Sequence, residues 1–285
     1  MKKIYLIALC FIYAMIPLTL NGCKKNSESP NLTPPRAKGV WWWSDSLDQE
    51  TYLSFADEQG INEVYYCDSS LDEDTKSFVQ KAKSFGMKTY LLAGEYQWLY
   101  NDTNLIALVE KYISYNANNP DAKLAGIHLD IEPHQADEFD TNRSNLIRSL
   151  VQIAKKLKET YPDIEFAYDI PFWFEQPLEI NGETKKEFEW MFEYADKIFV
   201  MSYRDSTQGI TSVAEAEMNY AKLHNKTIYL SVETKNLGES DEIVTFYEEG
   251  FQTLISALNH LDETLDKNIG FSIHHIRTFK ELKDK

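Results

Sequence analysis

Apolar positions along this chain follow two alternating rhythms. Short runs rich in β-branched and aromatic residues are separated by longer stretches in which apolar residues recur every three to four positions. The short runs read as strands: Gly39–Trp43, Ile61–Cys67, Lys88–Gly94, Ala125–Glu132, Glu165–Ile170, Lys197–Tyr203, Thr227–Glu233 and Ile269–His274. The longer stretches read as helices over Gln49–Gln59, Glu73–Phe85, Asn104–Asn116, Asn142–Thr160, Glu183–Tyr194, Ser212–Leu223 and Ser240–Leu261. Leu146, Leu150, Ile153 and Leu157 carry the helical spacing in the fourth of these. Strand–helix alternation implies parallel strands. Eight such units close a single (β/α)8 TIM barrel. An open doubly wound sheet is the other arrangement with this rhythm. No GxGxxG or GxxxxGK[ST] follows any strand, so that sheet lacks its usual nucleotide-binding signature.

One run breaks the apolar rule on one face only. In Ala125–Glu132, Ile127, Leu129 and Ile131 alternate with His128, Asp130 and Glu132. Side chains of a strand alternate between its two faces, so the apolar row packs against helices and the three titratable groups share the other side. Such a row is costly unless paired or functional. Asp130 and Glu132 are roughly 6–7 Å apart at Cα. At that range one carboxylate's charge raises its neighbour's pKa, which is how an acid stays protonated near neutrality. The alternative is a buried ion-pair cluster, but the segment holds no Lys or Arg.

A barrel places its chemistry at the C-terminal ends of its strands. In order, those ends carry Trp42, Trp43 and Asp45; Asp68; Glu95 and Trp98; Asp130, Glu132 and His134; Asp169 and Trp173; Tyr203 and Arg204; Glu233 and Lys235; His274 and His275. Acids and aromatics recur at nearly every end. Flat aromatic faces stack on the C–H faces of sugar rings, and carboxylates and imidazoles hydrogen-bond hydroxyls. Trp43, Trp98, His128, Asp169, Trp173, Arg204 and His274 are therefore the expected substrate-binding set.

Residues 1–23 read as a bacterial secretion signal, with Lys2 and Lys3 ahead of an apolar run and Leu20-Asn-Gly-Cys23 as a lipobox-like cleavage site. Cys23 is the expected lipidation site. Residues 24–37 are polar and proline-rich, as a flexible tether is, and the barrel is expected over 38–285. The domain would then sit at the cell envelope, membrane-attached through its lipid alone. The formal charge is −16, and loss of Lys2 and Lys3 takes it to −18. That balance argues against nucleic acid and other polyanions. Cys10 lies in the signal, so Cys67 is left as a lone thiol without a disulfide partner. A monomer without a cofactor is the expectation.

The fourth run, Ala-Gly-Ile-His-Leu-Asp-Ile-Glu, resembles the fourth-strand motif DGxDxDxE of family-18 glycoside hydrolases, the chitinase and endo-N-acetylglucosaminidase group. Gly126, Asp130 and Glu132 match; Ala125 and His128 stand where the family has Asp. Met201-Ser-Tyr203 resembles the family's sixth-strand MxY, with Arg204 where Asp follows. The resemblance implies a retaining hydrolase of N-acetylhexosamine glycans. It implies Glu132 as acid/base, Asp130 as stabiliser of the substrate's attacking acetamido group, and Tyr203 as partner of the acetamido oxygen. In that picture His128 hydrogen-bonds Asp130 from below.

Three other readings remain open. Glu233, ending the seventh strand, is positioned as the nucleophile is in the retaining clan with fourth- and seventh-strand carboxylates. A metal-dependent hydrolase would draw ligands from His128, Asp130, Glu132 and His134, joined by Asp169, His274 or His275. A non-catalytic glycan-binding barrel lipoprotein would account for the two altered motif positions.

Overall fold

The computed structural model describes residues 36–43 and 47–285. The signal run, Cys23, the tether up to residue 35 and Asp45 lie outside the described residues. Eight parallel strands close into a barrel in the order β1 (Lys38–Trp43), β2 (Glu63–Cys67), β3 (Lys88–Ala93), β4 (Ile127–Leu129), β5 (Phe166–Pro171), β8 (Lys197–Met201), β9 (Thr227–Glu233) and β10 (Ile269–His274), which returns to β1. Helices α1 (Gln49–Glu58), α2 (Glu73–Ser84), α3 (Thr103–Asn118), α4 (Phe139–Thr160), α5 (Glu187–Tyr194), α6 (Thr207–Val213), α7 (Glu215–His224), α8 (Phe251–Thr264) and α9 (Ile276–Asp284) complete the units. The expected single (β/α)8 barrel is the fold.

Alternation sorts every strand into two cores. Outward residues such as Val40, Val64, Leu91, Ile127, Leu129, Ile198 and Leu230 join the large cluster under the helices. Inward residues Trp41, Tyr65, Tyr90, Leu92, Ala167, Phe199 and Tyr229 form a second cluster inside the barrel. That inner cluster is aromatic and tightly interleaved, with Phe199 and Tyr229 stacked at 4.0 Å. Gly39 makes room for it, because a Cβ there would meet Tyr65 Oη at 2.0 Å. Below the rings, Glu63 accepts from Tyr65 and Tyr229 hydroxyls at 3.0 and 2.9 Å, and Lys197 donates to Tyr90 at 2.7 Å. This plug fills the barrel interior below its C-terminal mouth, where barrels of this kind carry their chemistry.

Several expected elements differ. Glu183–Lys186 is not helical: it forms β7, paired antiparallel with β6 (Pro177–Ile180) in a hairpin ahead of α5. The Asn181-Gly182 turn, with φ of 54° and 84°, sets that hairpin. The expected helix over Ser240–Leu261 is interrupted. A 3-10 turn at Glu239–Val244 precedes α8, with Gly250 at φ 83° between them. The sixth crossover is two helices, α6 and α7, and begins earlier than Ser212. Arg36, read as tether, is buried at 5% exposure and donates to the carbonyls of Asp266 and Leu265 at 2.8 Å. It therefore belongs to the barrel.

Candidate active site

β4 is short, Ile127–Leu129, yet its alternation continues past its last ladder bond. Asp130 donates its backbone N–H to Ala93 O at 2.9 Å, and Gly94 lets the two backbones approach. A Cβ at Gly94 would sit 1.8 Å from Asp130 O. That approach fixes the direction of the Asp130 side chain. Glu132 follows at the rim, leading into a 3-10 turn at Pro133–Gln135. Its side chain keeps 19% exposure, is 3.6 Å from His134 Nε2, and accepts from Gln135.

Around Asp130 the barrel top collects the expected acids. Asp169 reaches it from β5, Tyr203 from just beyond β8, Glu233 from the end of β9 and His274 from the end of β10. Burial, then the charges of Asp169 and Glu132, push the Asp130 carboxyl well above the usual range, and His274 opposes them. Burial and Glu132 push Asp169 up in the same way. Asp130 Oδ1 and Asp169 Oδ1 are shielded and lack a protein partner. Tyr203 is held far above the ordinary phenol range by burial and then by Glu233, Asp169, Asp130 and Glu132, so its hydroxyl stays a donor.

His128 does not bond Asp130. Its Nε2 is 2.5 Å from Asp169 Oδ2, and the residue is fully buried. The barrel wall curves, so an inward residue of β4 meets the inward residue of its neighbour β5 more readily than the next inward residue of its own strand. The rings of Phe199, Tyr65 and Trp41, at 4.3, 4.5 and 5.4 Å, hold the imidazole in place. Burial and then Lys197 push His128 down to about 3. Burial thus works against charge on both members of the pair, and the contact they make is a short hydrogen bond.

Glu233 is tied down. Its Oε1 accepts the backbone N–H groups of Thr234 and Lys235 at 2.7 and 2.8 Å, and Oε2 faces His274 Nδ1 at 2.7 Å. Trp43 and Trp173 are half-buried at the rim. Trp173 is braced by Arg143, whose guanidinium lies 4.7 Å over its ring and donates through Nε to Glu187 at 2.9 Å. Sequence reasoning missed Arg143 and Glu187, which are distant in the chain and sit on helices. Arg204 stacks on Phe172 at 4.7 Å and donates to Tyr203 O at 2.6 Å.

Other strand-end residues do not join the group. Trp98 is 5% exposed and packs in the outer core beneath α4. It lies in the 3-10 turn at Tyr96–Leu99, and its burial leaves little of the indole for the substrate contact expected of it. Trp42 faces outward against Phe78 at 4.9 Å. Asp68 accepts from Thr75 Oγ1 at 2.7 Å, in the turn leading into α2. Cys67 is a half-buried free thiol, pushed up by burial, then by Asp68 and Asp130. Among the described residues, no group of three or more His, Cys, Asp or Glu has the arrangement to hold a metal ion.

Comparison with solved structures places the barrel among those of family-18 chitinases in fold. A chitinase from Bacteroides thetaiotaomicron superposes with a TM-score of 0.57 at 12% identity, over 86% of this chain and 91% of that one. A mutant family-18 chitinase from Cycas revoluta, in complex with (GlcNAc)4, gives 0.53 at 11% identity, over 86% and 97%. A protein assigned as a deoxyribose-phosphate aldolase, from Toxoplasma gondii ME49, gives 0.51 at 11% identity, over 87% and 93%. No family model and no curated protein matches the sequence. One barrel plan therefore spans different chemistries here, and function rests on the side chains at the mouth.

Proposed function

We propose that this protein is a glycoside hydrolase acting on an N-acetylhexosamine-containing glycan with retention of configuration, the substrate's own acetamido group serving as nucleophile. The observation that carries the reading is the grouping of Asp130, Asp169 and Tyr203 at neighbouring strand ends, with Asp130 Oδ1 and Asp169 Oδ1 buried and unpartnered while Glu132 stays partly exposed at the rim. Glu132 is the rim carboxyl with partial exposure, suited to protonate a glycosidic oxygen arriving from solvent. As the acetamido oxygen attacks the anomeric carbon, positive charge builds on the ring it forms. Asp130 then faces a cation instead of neighbouring anions, which favours its ionised form and stabilises that ring. Tyr203, kept protonated, donates to the acetamido oxygen and aims it. Water then opens the intermediate, with Glu132 as base.

Glu233 fits the nucleophile role less well, because both its oxygens are already engaged by three donors. The chemistry is tested by assaying aryl glycosides and chitin oligomers with wild type and Glu132→Gln. Loss of a general acid costs about 10²–10⁴-fold, with a smaller loss on substrates carrying good leaving groups. Full activity of Glu132→Gln on an unactivated glycoside would sink the reading. Glycan binding with no turnover in wild type would favour the non-catalytic alternative. We further propose that Cys23 carries a lipid that holds the barrel at the bacterial envelope, which rests on the lipobox-like Leu20–Cys23 and the polar tether.

A further inference from the structure

The last two barrel strands end in a pair that the chemistry above leaves unused. β9 and β10 run in register, so Glu233 and His274 are direct neighbours across the ladder. Glu233 is fixed at three points, as described, and this leaves His274 one orientation: Nδ1 toward Glu233 and Nε2 away from it. Nε2 lies 3.3 Å from Trp43 Nε1. The rings of Trp41, Trp43 and Tyr203 surround the imidazole at 5.8, 6.0 and 6.3 Å, and the His274 side chain keeps 23% exposure to the mouth.

An indole N–H only donates. With His274 neutral and its proton on Nδ1, Trp43 donates to Nε2 and both groups are satisfied. With His274 charged, Nε2 carries a proton too, and two N–H donors face the same space with no acceptor between them. Burial opposes the charged ring, but the hydrogen bond and charge of Glu233, then Asp130 and Asp169, outweigh it and raise His274 above its ordinary 6.5. Tyr203 and His275 are the remaining titratable rings beside it.

We propose that Trp43 and His274 form a two-donor site for an oxygen of the bound sugar, with Glu233 as a positioning residue acting through His274. The inference rests on the glycan reading above and gives the seventh-strand carboxylate a role other than attack. The ligand chemistry is a hydroxyl or substituent oxygen able to accept two N–H groups at once.

Nuclear magnetic resonance of the whole chain tests the pair without reference to turnover. In wild type the His274 ring should titrate above 6.5, and the Trp43 indole N–H resonance should move with the same midpoint. Glu233→Gln should lower that midpoint, and His274→Gln should abolish the movement of the indole signal. Binding of an N-acetylglucosamine tetramer near pH 6 should weaken about tenfold in His274→Gln, the loss of roughly one good hydrogen bond. Glu233→Gln should weaken it comparably, and the double variant no further. An indole signal that ignores the His274 titration, or unchanged tetramer binding in His274→Gln, overturns the site. A wild type that shows the titration but binds no tetramer overturns the N-acetylhexosamine reading and the sugar contact together, while the Glu233–His274 pair stands.

Discussion

Glu217 offers a test of the electrostatics that is independent of function. It lies in the first turn of α7, is fully buried, and neither side-chain oxygen has a partner. A helix N-terminus favours a negative charge, and the residue's own backbone N–H and Lys186 help. Burial outweighs them and, with Glu175, raises the carboxyl from 4.5 to about 7. The folded protein therefore holds a proton that the unfolded chain has released between those two values. Because the native state binds more protons there, stability falls as pH climbs through that window and is flat above it. At about 1.36 kcal/mol per pH unit, the loss attributable to Glu217 is about 3 kcal/mol. Glu217→Gln keeps the shape and never ionises. Near pH 4 variant and wild type should unfold alike. At pH 8 the variant should be more stable by about 3 kcal/mol, roughly 6–12 °C in Tm for a chain of this size. Urea melts followed by circular dichroism at both pH values measure the difference. A variant whose advantage is absent at pH 8, or equal at pH 4 and pH 8, refutes the argument that an unpaired buried carboxyl is the cause.

Four further outcomes are expected. Asp130→Asn should cut hydrolysis severely while Glu233→Gln stays comparatively active; the reverse order, with a covalent adduct trapped on Glu233 by a fluorosugar, would establish the nucleophile mechanism instead. His128→Ala removes the hydrogen-bond partner of Asp169 Oδ2 and opens a void among Trp41, Tyr65 and Phe199, so it should cost about 2–4 kcal/mol in chemical denaturation. Gly94→Ala drives a Cβ into Asp130 O, so both Tm and hydrolysis should fall; an unchanged rate would mean that the Gly94–Asp130 approach does not position the site. Labelled fatty acid should enter wild type and not Cys23→Ser, and equal labelling of both would remove the proposed anchor.

Local pattern was enough for the alternation of strands and helices. Eight apolar runs separated by helical spacing fix parallel strands, and strict alternation in residues 127–132 assigns each side chain its face. Both follow from backbone geometry, which acts over a few residues. The departures arise where longer-range packing outweighs propensity. Glu183–Lys186 carries helix-forming residues, yet the Asn181-Gly182 turn and pairing with β6 make it a strand. Trp98 follows a strand end in sequence, yet it lies in a 3-10 turn and is buried in the outer core. The chain also names Asp130, Asp169, His128, Glu233 and His274 as candidates without saying who holds whom. His128 meets Asp169, Glu233 meets His274, and Arg143 braces Trp173 across gaps of 41, 41 and 30 residues. Those pairings exist because closing the barrel brings neighbouring strand ends and helices to one rim. Closure is a property of the whole sheet, so no stretch of sequence contains it.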